Sequence, residues 1–300
     1  MRALITGSKG FVGRHLYEHL RRSGDEVVAV DRDCDVTVLE SVTRKFEESR
    51  PQVIYHLAAM THVGESWNDP ALFTRVNVLG TATVLKAARE VVPGALVLLV
   101  SSADVYGVVR ESDLPLHETY HPVPVNPYAQ SKLEAEQIAF DAVRTEGQRV
   151  IVARPFNHVG PGQSTRFVVP ALASRLLDAR AQGLNEIPVG NLSARRDFSD
   201  VRDVVRAYRL LMQFGQAGEI YNVASGRDVT LIDVAKELVA MLCPGVRLVP
   251  DPALFRPVEV PIMRGSFEKL HLVTGWEPTI SLHTSLRDVV EDLKTRRGEG

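Results

Sequence analysis

Three hundred residues, 45% hydrophobic and 24% charged, suffice for one large α/β domain or for a domain with an added lobe. A formal net charge of −2 gives no electrostatic case for nucleic acid or a membrane surface as partner, and no apolar run approaches the roughly 18 residues that a span requires. Cys34 and Cys243 stand singly, without C-x-x-C or zinc spacing, so neither a disulfide framework nor a metal site is expected, and a reducing, cytoplasmic compartment is.

The chain opens on a short apolar strand, Arg2–Thr6, rather than on the pattern of a signal peptide. Gly7, Gly10 and Gly13 follow at G-x-x-G-x-x-G spacing and lead into an amphipathic helix, RHLYEHLRRSG. In such a turn the first glycine permits the reversal, the second lets a pyrophosphate approach the backbone, and the third lets helix and sheet pack closely. A second apolar strand, Glu26–Val30, ends at Asp31, where a carboxylate would accept hydrogen bonds from both hydroxyls of an adenosine ribose. Together these features indicate a dinucleotide site. Asp31 repels a 2′-phosphate, so NAD(H) is the preferred cofactor, while Arg32 beside it can pair with that phosphate and admit NADP(H).

Strands and helices then alternate: VTVLESVTRKFEESR as helix, QVIYHLA as strand, a long helix over 69–90, ALVLLVSS as strand, a helix over 127–145 and the strand RVIVAR. That alternation predicts βαβ units, a parallel sheet and helices on both of its faces. After Arg154 the rhythm breaks at Pro155, Gly160, Pro161 and Gly162, which mark a loop-rich entry into a lobe closing over the sheet. VRDVVRAYRLLMQF and EIYNVAS read as a helix and strand that return to the first domain. The expected boundaries are 1–156, with about 196–226 returning, for the sheet domain, and about 157–195 with 227–300 for the lobe.

Tyr128 and Lys132 in NPYAQSK are four residues apart, which stacks a phenol and an ammonium on one helix face. A fixed cation favours the phenolate and should draw the tyrosine pKa down toward neutrality, so that proton transfer at a carbonyl or carbinol oxygen becomes feasible. His15 with His19, and His117 with His121, share the same spacing, but no third metal ligand is evident and solvated faces are the simpler reading. His62 and His158 are read as hydrogen-bonded structural residues near the site, Trp67 and Trp276 as packing residues.

TGSKGFVG, HLAA, SSADVYG, YAQSK and RPFNHVGPG, in that order, resemble the extended short-chain dehydrogenase/reductase family over essentially the whole chain. The resemblance implies a Rossmann-type doubly wound parallel sheet with a smaller C-terminal lobe that binds a nucleotide sugar. It implies Ser102 as the third catalytic residue beside Tyr128 and Lys132, with Lys132 also holding the nicotinamide ribose. Phe11 and Val12 join the glycines around the dinucleotide, Asp35 and its neighbour Val36 reach the adenine, and Leu57, Ala58 and Ala59 after His56 form the adjacent loop. Asn77 takes a bracing role between strands.

Within that family PFNHVGPGQ, RFVV, GNLSARRDFSDVRDV and DPALFRPVEV are similar to the GDP-sugar branch, and to its bacterial reductases that form GDP-D-rhamnose. The implied activity is NAD(P)H-dependent reduction of the C4 ketone of GDP-4-keto-6-deoxy-D-mannose by a homodimer joined through helices of the first domain. By the same resemblance Asn157 and Arg196 hold the diphosphate, Arg256 contacts a phosphate, Glu259 the guanosine ribose, and Val168 lines the base pocket. Guanidinium forks suit phosphate oxygens and a carboxylate suits a ribose diol.

Ser102 is followed by Ala103 and then Asp104, in place of the acidic residues that drive elimination in nucleotide-sugar 4,6-dehydratases. A GDP-mannose 4,6-dehydratase using Asp104 as a lone acid stays as an alternative, with Ala103 and Asp104 beside the sugar in either reading. HVGESWNDP is similar to UDP-hexose 4-epimerases at Glu65 and Ser66, which keeps an NDP-hexose 4-epimerase open and places Ser66 at the substrate. A nonenzymatic dinucleotide sensor is a further alternative, weakened because Ser102, Tyr128 and Lys132 are all present.

Overall fold

The structure is a computed structural model that describes residues 1–255 and 260–298. Its first part alternates β1 (Arg2–Thr6), α1 (Phe11–Arg22), β2 (Glu26–Val30), α2 (Leu39–Ser49) and β3 (Val53–His56), then the short turns α3 (Val63–Ser66) and α4 (Pro70–Phe73). α5 (Gly80–Val91), β4 (Leu96–Val100), α6 (Pro127–Glu146) and β5 (Arg149–Pro155) continue it. The expected helix over 69–90 runs on from α4 to α5 through a π-helical turn at Thr74–Leu79, which carries the buried Asn77. Asp69 starts that run by accepting a hydrogen bond from the Leu72 N–H at 3.0 Å.

α6 begins sharply because Asn126 caps it, its Oδ1 accepting from the Ala129 N–H at 2.8 Å, with Pro127 in the first turn. It ends at Gly147, whose φ of +67° is the left-handed stop that glycine adopts without strain. Along it Tyr128, Lys132, Ala135, Glu136 and Ala139 are buried, so the polar members of that face are turned inward by design of the sequence rather than left to solvent.

The second part holds β6 (Asn157–Val159), α7 (Val168–Gln182), β7 (Glu186–Val189), β8 (Arg195–Asp200), α8 (Val201–Phe214), β9 (Ile220–Val223) and β10 (Asp228–Thr230). α9 (Leu231–Leu242), β11 (Arg247–Pro250), β12 (Ile262–Met263), α10 (Glu268–Thr274) and α11 (Leu282–Arg297) complete the described chain.

Six strands form one parallel sheet in the order β2-β1-β3-β4-β5-β9. β3 is buried at every position and β4 nearly so, as a strand covered by helices on both faces must be. β1 is flanked by β2 on one side and β3 on the other, so the strand order reverses there and a crevice opens beyond the carboxyl ends of the strands. The lobe contains a second sheet, β10-β8-β12 with β6 on β8, and a parallel pair of β11 and β7. Its core is built from Leu172 and Leu176 of α7, Leu238 of α9, and Leu286 and Val289 of α11.

Two boundaries differ from the sequence expectation. The return to the first domain begins at Val201 rather than near 196, because β8 is paired entirely within the lobe sheet. α10 and Trp276, expected in the lobe, pack into the core of the first domain, where the indole N–H donates to the Asp203 carbonyl at 2.9 Å.

Candidate active site

A cleft of about 1490 Å³ lies between the sheet's carboxyl edge and the lobe. A single small-ligand pocket is roughly 300–1,000 Å³, so this one has room for two extended ligands. One end is the glycine turn. A Cβ on Gly13 would stand 2.2 Å from the Gly7 carbonyl oxygen, and one on Gly7, where φ is +70°, 2.8 Å from the Ala58 nitrogen. Only glycine allows this approach of turn, helix and following loop. No side chain caps the N-terminus of α1, and Gly10, Phe11, Val12 and Gly13 line the cleft there. That is a bare cradle of backbone N–H groups at the positive end of a helix, and it fits the pyrophosphate of a dinucleotide.

Asp31 stands beside this turn. Its carboxylate accepts from the Lys9 N–H at 2.8 Å and the Arg32 N–H at 3.0 Å, which fixes its orientation. Lys9, Arg14 and Arg32 line the cleft as well, Lys9 and Arg32 bonded to Asp31 through their backbone and Arg14 to the Lys9 carbonyl. Asp35, Val36, Leu57, Ala58 and Ala59 line the cleft as expected. Hydrogen bonds from the Thr37 N–H and hydroxyl hold the Asp35 carboxyl below its ordinary range. Asn77 braces the loop after β3 against α6: its amide exchanges hydrogen bonds with both backbone groups of Met60 and donates to the Ser131 hydroxyl at 2.9 Å.

At the other end Ser102, Tyr128 and Lys132 converge. Ser102 caps a 3-10 turn, its Oγ accepting from the Asp104 N–H at 3.2 Å, and it shares a hydrogen bond with the Tyr128 phenol. The Tyr128 ring is nearly buried and packs edge-on against Phe73 at 6.3 Å. Burial pushes its pKa above that of an ordinary phenol, the nearby Asp104 charge adds to the rise, and the Ser102 hydrogen bond opposes it. The expectation that Lys132 draws the phenol down is therefore not met. Lys132 Nζ instead donates to the Val100 carbonyl at 2.8 Å, and burial brings its own pKa down to about 8, with Glu136 working the other way. A phenol that keeps its proton at neutral pH is an acid ready to donate, which suits a carbonyl reduction.

Behind these groups lies a buried ion pair. Glu136 accepts from Arg154 Nε at 2.9 Å and Nη2 at 2.6 Å, and Ser101, next to Ser102, donates to the same carboxylate. The pair ties α6 to β5 beneath the site.

Of the substrate residues inferred from sequence, Asn157, Val168, Arg196, Ala103 and Asp104 line the cleft. Ser66 does not: it is fully buried and its hydroxyl donates to the Val63 carbonyl at 2.7 Å within its own turn. Arg256 and Glu259 lie outside the described residues. His62 and His158 line the cleft and are hydrogen-bonded, His158 stacking on Phe11 at 6.0 Å. His15 and His19 are partly buried rather than solvated, and His15 Nε2 bonds the Pro161 carbonyl at 2.7 Å. Trp276 packs as expected, whereas Trp67 is 42% exposed. Sequence reasoning missed Lys9, which the glycine turn itself contains, and Tyr208, whose place on the buried face of an amphipathic helix gave no sign of the cleft.

Residues 3–224 match the NAD dependent epimerase/dehydratase family. The chain belongs to that family. It is accordingly an NAD(P)-dependent enzyme of the extended short-chain dehydrogenase/reductase type. It is 40% identical over 299 residues to the GDP-6-deoxy-D-mannose reductase of Pseudomonas aeruginosa, with 98% of each chain covered. It is 32% identical to the GDP-6-deoxy-D-talose 4-dehydrogenase of Aggregatibacter actinomycetemcomitans, covering 99% of this chain and 98% of that one. The solved structure of RMD from Pseudomonas aeruginosa, complexed with NADPH, superposes with a TM-score of 0.91 at 38% identity, over 99% of this chain and 100% of that one. The UDP-glucose 4-epimerase of Thermotoga maritima, solved with UDP-glucose, has a TM-score of 0.91 at 27% identity, over 99% and 100%.

Proposed function

We propose that the protein reduces the C4 ketone of GDP-4-keto-6-deoxy-D-mannose to GDP-D-rhamnose, using NADH or NADPH. The observation that carries this reading is the pairing of a protonated, buried Tyr128 with Ser102 beside Ala103, where an eliminating enzyme would place an acid. Its likeness to the reductase of Pseudomonas aeruginosa supports the substrate.

The glycine turn holds the pyrophosphate of the dinucleotide and Asp31 its adenosine ribose. A reduced nicotinamide held there would supply the hydride to C4. Ser102 orients the ketone oxygen by a hydrogen bond, Tyr128 delivers its phenolic proton to the oxygen as charge develops there, and Lys132 is the residue that would hold the nicotinamide ribose. Asn157 and Arg196 hold the diphosphate of the sugar nucleotide, so distant binding energy fixes C4 in place.

Asp104 is near enough to Tyr128 to act on its titration, which favours a lone-acid GDP-mannose 4,6-dehydratase as the second reading. One experiment separates the two. Protein given GDP-mannose and NAD⁺ should form no 4-keto-6-deoxy product, but given that product it should consume one reduced dinucleotide per sugar. NMR of the product reads the C4 configuration. Dehydration of GDP-mannose, or turnover without net oxidation as in an epimerase, would overturn the proposal.

A homodimer joined through the first-domain helices is supported by an apolar groove lined by Ala71, Val78, Leu79, Ala82 and Ile138, in which Leu79 is 49% exposed. A strictly monomeric sedimentation profile would remove it. No helix among the described residues is long and apolar enough to cross a membrane, and two free cysteines accord with a reducing cytoplasm.

A further inference from the structure

His56 is buried at the carboxyl end of β3, and both of its ring nitrogens have partners. Nδ1 lies 2.8 Å from the Thr6 hydroxyl oxygen, and Nε2 lies 3.2 Å from that of Thr81. These neighbours place the proton of the ring. Thr81 donates its one hydroxyl proton to the Asn77 carbonyl at 2.7 Å, and a carbonyl can only accept. Thr81 Oγ1 must then accept from the ring, which puts the imidazole proton on Nε2. Burial, with the Lys132 charge adding to it, lowers the pKa of His56 to about 3, so Nδ1 stays bare. Nδ1 therefore accepts from the Thr6 hydroxyl, whose oxygen in turn accepts from the Ala58 N–H at 3.2 Å.

The chain of bonds continues beyond Asn77. The side-chain amide of Asn77 bonds both backbone groups of Met60 and donates to the Ser131 hydroxyl, which donates to the Tyr128 carbonyl at 2.7 Å. Thr6, His56, Thr81, Asn77 and Ser131 are all buried. At one end Thr6 precedes Gly7 of the dinucleotide cradle, and at the other stands the proton donor of the proposed reduction. The loop after β3 is thereby clamped at two points, at Ala58 through Thr6 and at Met60 through Asn77. His56 is the link that ties one clamp to the other.

We infer that His56 is a positioning residue for the reduction: fixed as the Nε2–H tautomer, it holds the loop from Ala58 to Met60 and the turn of Tyr128 in one register against the glycine turn. The inference rests on the reductase reading proposed above. Ala58 and Tyr128 line the cleft and His56 does not, so its influence passes through them. A buried chain in which each donor already has its acceptor resists rearrangement, because any other order would leave a polar group unpaired. Misplacing a reacting group by about 1 Å can cost roughly 10²-fold in rate, so a small slip of this frame is enough to be read in turnover.

Nitrogen-15 NMR of the imidazole rings in the full chain at pH 7 should show His56 protonated at Nε2 alone. Thr81→Val keeps the branched shape without the hydroxyl, and Thr81→Ser keeps the hydroxyl. With NADH and GDP-4-keto-6-deoxy-D-mannose, Thr81→Val and His56→Leu should each lower kcat per folded molecule by about 10–100-fold, with KM within about 3-fold of wild type. Thr81→Ser should restore kcat to within about 3-fold. The double variant His56→Leu with Thr81→Val should lose no more than the worse single one, because both break the same chain. A merely structural histidine would lower the melting temperature of these variants and leave kcat per folded molecule unchanged, and that result would overturn the inference. So would losses that multiply in the double variant, or a ring protonated at Nδ1. If His56→Leu does not fold, Thr81→Val and the ring NMR decide the matter alone. Absence of ketone reduction by the wild type would instead refute the proposed function, and the inference with it.

Discussion

Glu136→Gln should destabilise the protein by about 3–5 kcal/mol, because it strands a buried charge. Both side chains of the pair are withdrawn from water, Glu136 at 1% and Arg154 at 3% exposure, and their fork is bidentate. Little else supports the guanidinium: the Tyr106 ring lies 4.9 Å from its carbon, and Nη1 has no partner among the described residues. Glutamine keeps the shape and one acceptor but no charge, so Arg154 remains ionised in a medium that solvates it poorly. For a chain of this size each kcal/mol moves the midpoint by about 2–4 °C, so thermal unfolding followed by circular dichroism should shift down by roughly 6–20 °C. Replacing both partners with apolar residues, Glu136→Leu with Arg154→Met, should recover most of that loss, since the desolvation of two ions disappears with them. The same substitution should move the alkaline loss of kcat/KM to lower pH, because Glu136 supports the charge on Lys132 one turn away. A Glu136→Gln protein that melts within about 2 °C of wild type would refute the reasoning.

Tyr128→Phe keeps the ring and removes the proton donor, so kcat should fall by about 10²–10⁴-fold while dinucleotide affinity, read by fluorescence titration, stays near wild type. Lys132 is charged below its pKa of about 8, so kcat/KM should decline as pH rises through that value. The same depression has a stability consequence. The unfolded chain binds the extra proton between about pH 8 and 10, so this group makes stability rise with pH across that window, and Lys132→Met should flatten the rise in urea midpoints. Asp31→Asn removes the charge that repels a 2′-phosphate while leaving Lys9, Arg14 and Arg32 in place, so the ratio of NADPH to NADH affinity should increase several-fold. An unchanged ratio would dissociate Asp31 from cofactor choice.

The sheet, the glycine turn and the Tyr128 to Lys132 face were legible because each is a local pattern: alternation of apolar runs, fixed spacing of residues without a Cβ, and helical periodicity. The misplacements are tertiary. RRDFSD gives no sign of which sheet it joins, and only its pairing with β6, β10 and β12 puts β8 in the lobe. Ser66 was assigned by the segment around it, but a tight turn rotates its hydroxyl inward. The direction of the Tyr128 shift could not be read from spacing. The i,i+4 relation brings the ammonium onto the same face, whereas burial, which depends on the whole fold, sets the sign. Tyr208 illustrates the same limit, since the apolar face of an amphipathic helix marks a core residue without showing that it borders the cleft.

At two of its crossings between the halves the chain has hardly a residue to spare. Phe156 alone separates β5 from β6, and β8 ends at Asp200 where α8 begins at Val201. Asp200 is further pinned by Arg202 and by Ser285 of α11, and Arg202 reaches Asp288. Pinned in this way, those two crossings resist a swing of one half against the other, and the overall dimensions of the particle in solution should change little whether the cleft is full or empty.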